Sequence, residues 1–346
     1  PNSSAMGVLT YHNDNGRTAQ NLSETALTPA NVASSTFGKI RFDSADGKVD
    51  AEPLYASSVA IAGKGTHNVL VVASEHDTVY AFDADTGATL WSATMLKAGE
   101  TTSDPRSCDQ VEPEIGITAT PVIDPKASPN GAIYVVAMSK SGATYHQRLY
   151  ALDLATGAEL FNGPVDIQAK YPGTGDNSDG TNVIFDPAQY EERVALLLQN
   201  GTIYTSWASH CDIRPYTGWI IAYSASTLVQ SSVLNVTPNG KEGAIWMSGG
   251  ALAADDSGNI YLLDGNGTFD ATLDANAFPS KGDYGNAFLK ISTAGNQLAV
   301  ADYFEMYNQA TENGADGDLG SGSPMVLPDL KDSSGNTKHL AVGAGK

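Results

Sequence analysis

The chain is short of the residues that declare a chemistry at sight. Its 346 residues include two cysteines, six histidines and only 19 lysines and arginines. The histidines (12, 67, 76, 146, 210 and 339) show no H-x-H or H-x-x-x-H spacing, and His210-Cys211-Asp212 lacks a fourth ligand close by in sequence. Four ligands are what a structural zinc site needs, so no such site is written locally. There is no G-x-S-x-G, and GSGSP at 320–324 is not a nucleophile elbow. Neither a dinucleotide nor a P-loop glycine fingerprint appears. The 39 acidic residues outweigh the basic ones and leave a net charge of −20. That field repels phosphate backbones and argues against nucleic-acid partners. Anionic membrane surfaces are disfavoured for the same reason. Acidic chains can bind calcium, but solubility accounts for the charge more simply. The apolar runs, such as VLVVA (69–73) and VALLL (194–198), are strand-sized. They fall far short of the roughly 18 residues that span a bilayer. Helical periodicity is nearly absent too: PAQYEERVALLL (187–198) is the one stretch that tempts, and its Val/Leu end reads equally well as a strand.

Cys108 and Cys211 are too few to fix a compartment. Paired, they would close a loop of about 100 residues, worth up to about 4–5 kcal/mol in the entropic model. Free buried thiols are the alternative. A low-lysine, Asn/Ser/Thr-rich chain with a disulfide favours the periplasm or the outside of the cell. Five N-x-S/T sequons (Asn2, Asn21, Asn200, Asn235 and Asn266) matter only in a eukaryotic secretory pathway, and chance in an Asn-rich chain explains them. The chain opens on Pro1 with no signal pattern, which reads as a processed form or a fragment.

What the chain has in abundance is repetition. The phrase AFDADTG at 81–87 returns as ALDLATG at 151–157, AYSASTL at 222–228 and LKISTAG at 289–295. The phrases end at 87, 157, 228 and 295, a near-constant step of about 70 that marks a repeat architecture. Each unit also carries a short apolar strand (ATPVID 119–124, GGALAAD 249–255, GSPMVLPD 322–329). A second strand follows (AIYVVAM 132–138, GTIYTSWAS 201–209, NIYLLDG 259–265). The strand that enters the D-x-x-T-G turn comes next, and a last one such as ATLW or AELF closes the unit. Four-stranded units at a fixed step are the signature of β-propeller blades, which bury their faces only by stacking around an axis. The reading is therefore all-β, with blades over 51–346 forming a single domain and a lead segment over 1–50. Within that lead segment no strand pattern is clear before FGKIRFD (37–43), and such segments often supply a closing strand to the last blade. KHLAVGAGK (338–346) aligns with HNVLVVASEHD (67–77), so a fifth unit breaks off before its D-x-x-T-G part. A C-terminally incomplete propeller, or one completed by a partner, is expected.

The phrase Y-A-x-D-x-x-T-G-x-x-x-W at 80–91 resembles the docking repeat of the quinoprotein propellers. Those are eight-bladed proteins that include the dehydrogenases using pyrroloquinoline quinone (PQQ). More broadly the chain is similar to bacterial secreted PQQ-binding-like propeller repeat proteins, through LTYHNDNGRTAQNL (9–22), PEIGITATPVID (113–124), GWIIAY (218–223), IWMSGGALAAD (245–255) and DLGSGSPMVLPD (318–329). The resemblance implies about eight blades in a full-length protein, of which this chain covers four and part of a fifth. It also implies an axial site with a vicinal Cys-Cys cap on one quinone face and a Trp on the other. A calcium ion held by a carboxylate and an Asn, and an Asp base, complete it. SCDQVEP (107–113) sits where the vicinal pair would be, with Ser107 in place of the first Cys and Cys108 as the remaining one. Trp246 falls where the stacking Trp is expected, and Asn266 resembles the calcium-ligand Asn. Asp212 lies near the calcium carboxylate, slipped by a residue, and Asp316 and Asp318 near the base. Plainer readings stand beside these. Trp91 and Phe161 are inter-blade packing residues, Asp83 and Asp153 hold turns, and Asp264, Asn266, Thr268 and Asp270 alternate oxygens but lack the Glu of an EF-hand loop.

Three functions follow. The first is a secreted or periplasmic quinoprotein-like propeller that binds or scaffolds a protein or glycan partner, docking on Cys108, Asp212, Trp246, Asn266 and Asp316, without a complete PQQ site. The second is a calcium- and PQQ-dependent dehydrogenase of alcohols or sugars, with Asp316 or Asp318 as base. The third is a subunit of an extracellular assembly whose blade edges pair with a neighbour.

Overall fold

A computed structural model describes residues 7–32 and 37–346; the Asn2 sequon lies outside them. The polypeptide is almost entirely β-structure, arranged as propeller blades. Blade one runs Leu54–Ile61, Gly65–Ala73, Thr78–Asp83 and Thr89–Thr94 in antiparallel order. Blade two is built on Val122–Asp124, Ala132–Ser141, Thr144–Asp153 and Val165–Asp166, with Thr101–Thr102 beside the far end of its second strand. Blade three comprises Leu197–Gln199, Thr202–Ser206, Trp219–Ser224 and Gln230–Asn235. Blade four comprises Ala253–Ala254, Ile260–Leu263, Ala287–Ser292 and Ala299–Glu305. Beyond it Met325–Val326 pairs with Ala341–Val342, the start of a fifth unit. The ambiguous VALLL stretch resolves as strand, ending in Leu197–Gln199.

In blades two and three the central strands are covered on both faces and read as continuous apolar runs, with Ala132 through Met138 all buried; blade four's third strand instead alternates buried and half-buried residues. Three slabs of side chains result. One joins Val71 and Val79 of blade one to Val135 and Tyr150 of blade two. The next joins Tyr134 of blade two to Trp207, Trp219 and Tyr223 of blade three, with Phe161 packed against it. The third joins Leu197 and Tyr204 of blade three to Ile260 and Leu289 of blade four. At about 1.5–3 kcal/mol for each fully buried Leu, Ile or Val, these slabs are the main favourable term.

The repeated phrase works as a turn and a dock together. Asp83 accepts the amides of Asp85 and Thr86 (3.0 and 2.6 Å), and Asp153 accepts the Ala155 amide (3.0 Å) and the Thr156 hydroxyl (3.0 Å). Gly157, at φ +72°, closes the blade-two turn, and a Cβ there would lie 2.5 Å from the Trp91 ring. Trp91 of blade one thus lies flat on the glycine of the next blade and donates its indole N–H to Leu154 O at 3.1 Å. Only glycine permits both the backbone conformation and the contact.

The segments that lead into the first strands of blades two, three and four lie side by side: the Leu196 amide donates to Thr120 O and Ala195 to Gly250 O (3.0 and 2.8 Å), with Ala195 and Ala251 bridged in parallel. The Ile117 amide reaches Ser74 O in the second-to-third hairpin of blade one (3.4 Å). These segments define an axis with two distinct ends. At one, each first strand turns into the second; at the other lie the second-to-third connections.

The lead segment closes the first of these ends. Its Gly7–Val8 pairs with Tyr55–Ala56 and so adds a short strand to blade one. Residues 9–17 then cross the ends of the inner strands. Leu9 O accepts from Ile123 of blade two, and Asn15 donates to Leu198 O of blade three (2.8 and 2.7 Å). Asn15 O accepts from Ala254 of blade four, and Gly16 O from Val326 of the fifth unit (2.7 and 2.8 Å). Arg17, 3% exposed, donates to Leu252 O, the Thr10 hydroxyl, Tyr11 O and Asp14 O. Burial lowers its pKa to about 10, with Asp14, Tyr11 and Glu52 resisting, so it stays charged near neutrality. FGKIRFD, where a strand pattern was expected to begin, forms none: Phe37, Ile40 and Phe42 are exposed, and Arg41 braces the segment by donating to Ala84 O.

Candidate functional site at the open end of the axis

All six residues singled out from the sequence lie at or beside the second end, on the long connections and the starts of the inner strands. Cys108 sits in the loop whose base is closed by paired amides and carbonyls of Ser103 and Ile115 (2.8 and 2.9 Å). It is disulfide-bonded to Cys211 on the blade-three connection, with a Cα–Cα separation of 5.6 Å. The loop before blade two is thereby stapled over blade three, and the free-thiol alternative falls. Asp212, next to Cys211, accepts the Tyr216 hydroxyl at 2.9 Å. Burial raises the Tyr216 pKa, and the charges of Asp212, Glu242 and Asp318 raise it further. Tyr216 therefore stays a neutral donor.

Tyr216 meets Trp246 edge-to-face at 6.3 Å. Trp246 is half-buried at the start of blade four's inner strand, and Gly265 of the following connection lies against it: a Cβ there would be 2.5 Å from the indole. Over the ring, 5.8 Å from its centre, stands the guanidinium of Arg193, which also donates to Gln110 Oε1 at 2.9 Å. Arg193 thus bridges the stapled loop and the indole. Asn266, one residue beyond Gly265, donates its amide to Asp318 and its side-chain N–H to Asp316 (3.1 and 3.2 Å). Its side-chain oxygen is buried with no partner. Lys346 lies 3.0 Å from both Asp316 and Asp318, which raise its pKa. The tertiary structure therefore joins Asp212, Trp246, Asn266, Asp316 and Asp318 through Tyr216 and Lys346, while Cys108 is attached from above. Asp264 is fully buried behind Asn266, and burial drives its pKa well up. Cavities of about 510 Å³ (Tyr171, Asn235, Phe278, Tyr284) and 700 Å³ (Gln168, Phe185, Gln230) lie elsewhere, along the outer parts of the blades.

A second set lies at the same end; the sequence flagged His210 only as a poor zinc ligand and passed over the three acids. Glu75 and Asp77, in the blade-one hairpin, and Glu191 and His210, of blade three, are all at most 2% exposed. Glu75 Oε2 accepts the Gly116 amide and the Thr118 hydroxyl (2.8 and 3.1 Å), but its other oxygen has no partner. Neither oxygen of Asp77, one of Glu191 and neither ring nitrogen of His210 forms a hydrogen bond. His210 Nδ1 stands 3.5 Å from Glu191 without bonding it. Burial raises the Glu75 pKa to about 8, with Asp50 and Glu191 adding to it. Burial also raises Asp77, and Glu75, Glu114 and Glu100 push it the same way. The visible signal was two acids in a hairpin flanked by VVA and TVY, where a polar turn is the ordinary reading.

The fold family implies calcium and PQQ, and the residues answer the two differently. The orphaned Asn266 oxygen, beside Asp316 and Asp318, is a hard donor of the kind calcium takes. Among the described residues, however, no three His, Cys, Asp or Glu side chains converge as a metal site. The quinone fits less well. No vicinal disulfide caps a slot, since Cys108 bonds across to Cys211, and Arg193 already spans the gap between Gln110 and Trp246. A tricarboxylate would also face several buried acids. No redox step is derived through it.

No family model and no curated protein sequence matches the chain. Solved structures do. A quinohemoprotein alcohol dehydrogenase from Comamonas testosteroni superposes with a TM-score of 0.56 at 15% identity, covering 99% of this chain and 46% of its own. Another, from Pseudomonas putida HK5, gives 0.53 at 16%, covering 87% and 39%. A europium-containing methanol dehydrogenase gives 0.53 at 14%, covering 85% and 46%. The likeness establishes a β-propeller fold of the kind found in quinoprotein dehydrogenases. The chain spans less than half the length of each. Among the described residues no helix is long and apolar enough to cross a membrane.

Proposed function

We propose that this protein is a quinoprotein-like propeller that binds or scaffolds a partner outside the cytosol, through the open end of its axis, and does not itself work as a dehydrogenase. What carries the reading is Arg193: it stands over Trp246 and holds Gln110 of the stapled loop, where a quinone would need an open slot between two walls. A fold alone does not name a function, so the weight rests on this site. The disulfide supports an oxidising location. The partner is a protein or a glycan, met by Trp246, Asp212, Asn266 and Asp316.

The rival reading, a calcium- and PQQ-dependent dehydrogenase, has one specific observation in its favour: the unpartnered, buried Asn266 oxygen. Asp212 and Asn266 would hold the calcium, Cys108 and Trp246 would flank the cofactor, and Asp316 or Asp318 would take the substrate proton. The test is titration of the protein with calcium and PQQ while an artificial electron acceptor reports turnover on a panel of alcohols and sugars. The scaffold reading expects neither tight binding nor dye reduction. Micromolar calcium-dependent binding, lost in Trp246→Ala and accompanied by dye reduction, would overturn it.

A further inference from the structure

Between the outer parts of blades three and four lies a groove that the axial site does not use. Its volume is about 510 Å³, inside the range of about 300–1,000 Å³ that small-molecule sites occupy. Leu234 of blade three's last strand and Ala299 and Val300 of blade four's line it. The strand Lys170–Pro172 adds Tyr171, and the long blade-four connection adds Phe278, Lys281 and Tyr284. Tyr171, Phe278 and Val300 pack on the slab between the two blades yet stay partly exposed, so the lining keeps accessible apolar surface. Hydrogen bonds already tie the walls together. The Asn239 amide donates to Asp283 at 2.8 Å and its side-chain N–H to Lys281 O at 2.7 Å, while its side-chain oxygen accepts the Thr174 amide at 3.1 Å. The Tyr284 amide donates to Val236 O at 2.8 Å, and Tyr303 meets the Tyr284 ring edge-to-face at 5.6 Å. A groove held in one shape loses less binding energy to ordering.

We propose that this groove binds a neutral saccharide. It lies away from the axis, so the inference goes beyond the function proposed above and does not depend on it. Three features select the class. The first is the pair of phenols: among the described residues no protein group engages the hydroxyl of Tyr171 or Tyr284. Burial raises both pKa values, Tyr284 to about 12 with Tyr303, Asp274 and Tyr171 adding to it. Each hydroxyl is therefore a neutral group that can both donate and accept. The second is charge. Lys281 is the cation lining the groove, and Asp270 and Asp283 both lie within reach of its field, so the site offers no net charge to select an ion. The net charge of −20 repels anions besides. The third is the mixture itself. A pyranose presents C–H groups on its faces and hydroxyls around its rim, which answers aromatic walls and phenol hydroxyls together. A purely apolar ligand would leave both hydroxyls unpaired. A proline-rich peptide also seeks aromatic grooves, but its prolines bring acceptors and no donors.

The experiment is saturation-transfer NMR and calorimetric titration of the intact protein with neutral tetrasaccharides of glucose, galactose, mannose and N-acetylglucosamine, with decaproline as the peptide arm. We expect saturable binding of at least one tetrasaccharide, with an affinity that is flat between about 0.05 and 0.5 M salt because a neutral ligand has no charge to screen. Tyr171→Phe and Tyr284→Phe keep the rings and should each weaken binding about threefold to tenfold, the worth of one hydrogen bond. Ala299→Trp, at an exposed position of the lining, should fill the groove and abolish binding while leaving the urea midpoint unchanged. Asp332→Asn, in the hairpin of Leu330–Lys331 and Thr337–Lys338, should bind as the wild type does. Binding of none of the tetrasaccharides, full affinity in Ala299→Trp, full affinity in both Phe variants, or binding of decaproline in their place would overturn the proposal. Calcium-dependent PQQ binding with dye reduction would instead overturn the function proposed above, so the two failures are distinguishable.

Discussion

The two ends of the axis treat buried charge in opposite ways. At the closed end Arg17 donates to four acceptors drawn from the lead segment and blade four, with one terminal nitrogen left without a partner. At the open end Glu75, Asp77 and Glu191 are buried as deeply but keep unpartnered oxygens, and of the three only Glu191 has a basic side chain within ion-pair reach, His210 at 3.5 Å. A charge with most of its hydrogen bonds satisfied can serve the fold; one left with few costs stability and is tolerated where function needs it. The comparison separates an end whose buried charge ties the lead segment to the blades from an end whose buried acids tie nothing together.

It can be broken at either end. The largest effect is expected at Arg17. Arg17→Met leaves Leu252 O, Tyr11 O and Asp14 O short of a donor and should cost about 3–5 kcal/mol, read as a lower urea midpoint. If the loss is under about 1 kcal/mol, the lead segment is not what closes that end. Next comes the staple. Cys108→Ser with Cys211→Ser should cost about 2–4 kcal/mol. It should also free the loop that carries Gln110, raising hydrogen exchange over 104–114 while the blade cores stay protected.

The third prediction concerns Glu75 and has a defined sign. Its folded-state pKa lies near 8, above the ordinary 4.5, so the folded protein holds the proton more tightly than the unfolded chain. Stability is therefore full below about pH 4.5 and declines as pH rises through 8. At about 1.4 kcal/mol per pK unit the bound is about 5 kcal/mol, and relaxation of the site reduces the expected loss to about 2–3 kcal/mol. Glu75→Gln should match the wild type near pH 5 and be more stable near pH 9. A residual slope will remain, because Asp77 and Asp264 are raised in the same direction. Parallel pH curves for the two proteins would show that Glu75 is not buried as a proton-holding acid.

Much of the fold was legible because it rests on short-range chemistry. The D-x-x-T-G turns need an Asp whose oxygen reaches amides two and three residues on, and those are visible in any window of the sequence. Trp91 could be assigned to packing because a large aromatic at the end of the first two phrases must be buried somewhere; that it lies on Gly157 required the neighbouring blade. Of the site, the sequence flagged Cys108, Asp212, Trp246, Asn266, Asp316 and Asp318 through the resemblance. It missed Arg193, Glu75 and Glu191, which look like ordinary surface charges until the strands that cover them are in place. The lead segment was illegible for a different reason. Its bonds to the blades run through backbone carbonyls and the Asn15 and Arg17 side chains, to partners such as Leu198 and Leu252, 183 and 235 residues away.

The sequence by itself determined the blades. Period-two and fully apolar patterning sets the strands, and turn chemistry of a few residues sets their connections, so neither needs distant information. Only the tertiary structure decided which end of the axis is closed, which acids are stranded without partners, and what stands over Trp246. Those properties belong to surfaces that meet after folding. Burial and the loss of water around a charge are set by residues forty or more positions away, as Gly116 and Thr118 are from Glu75.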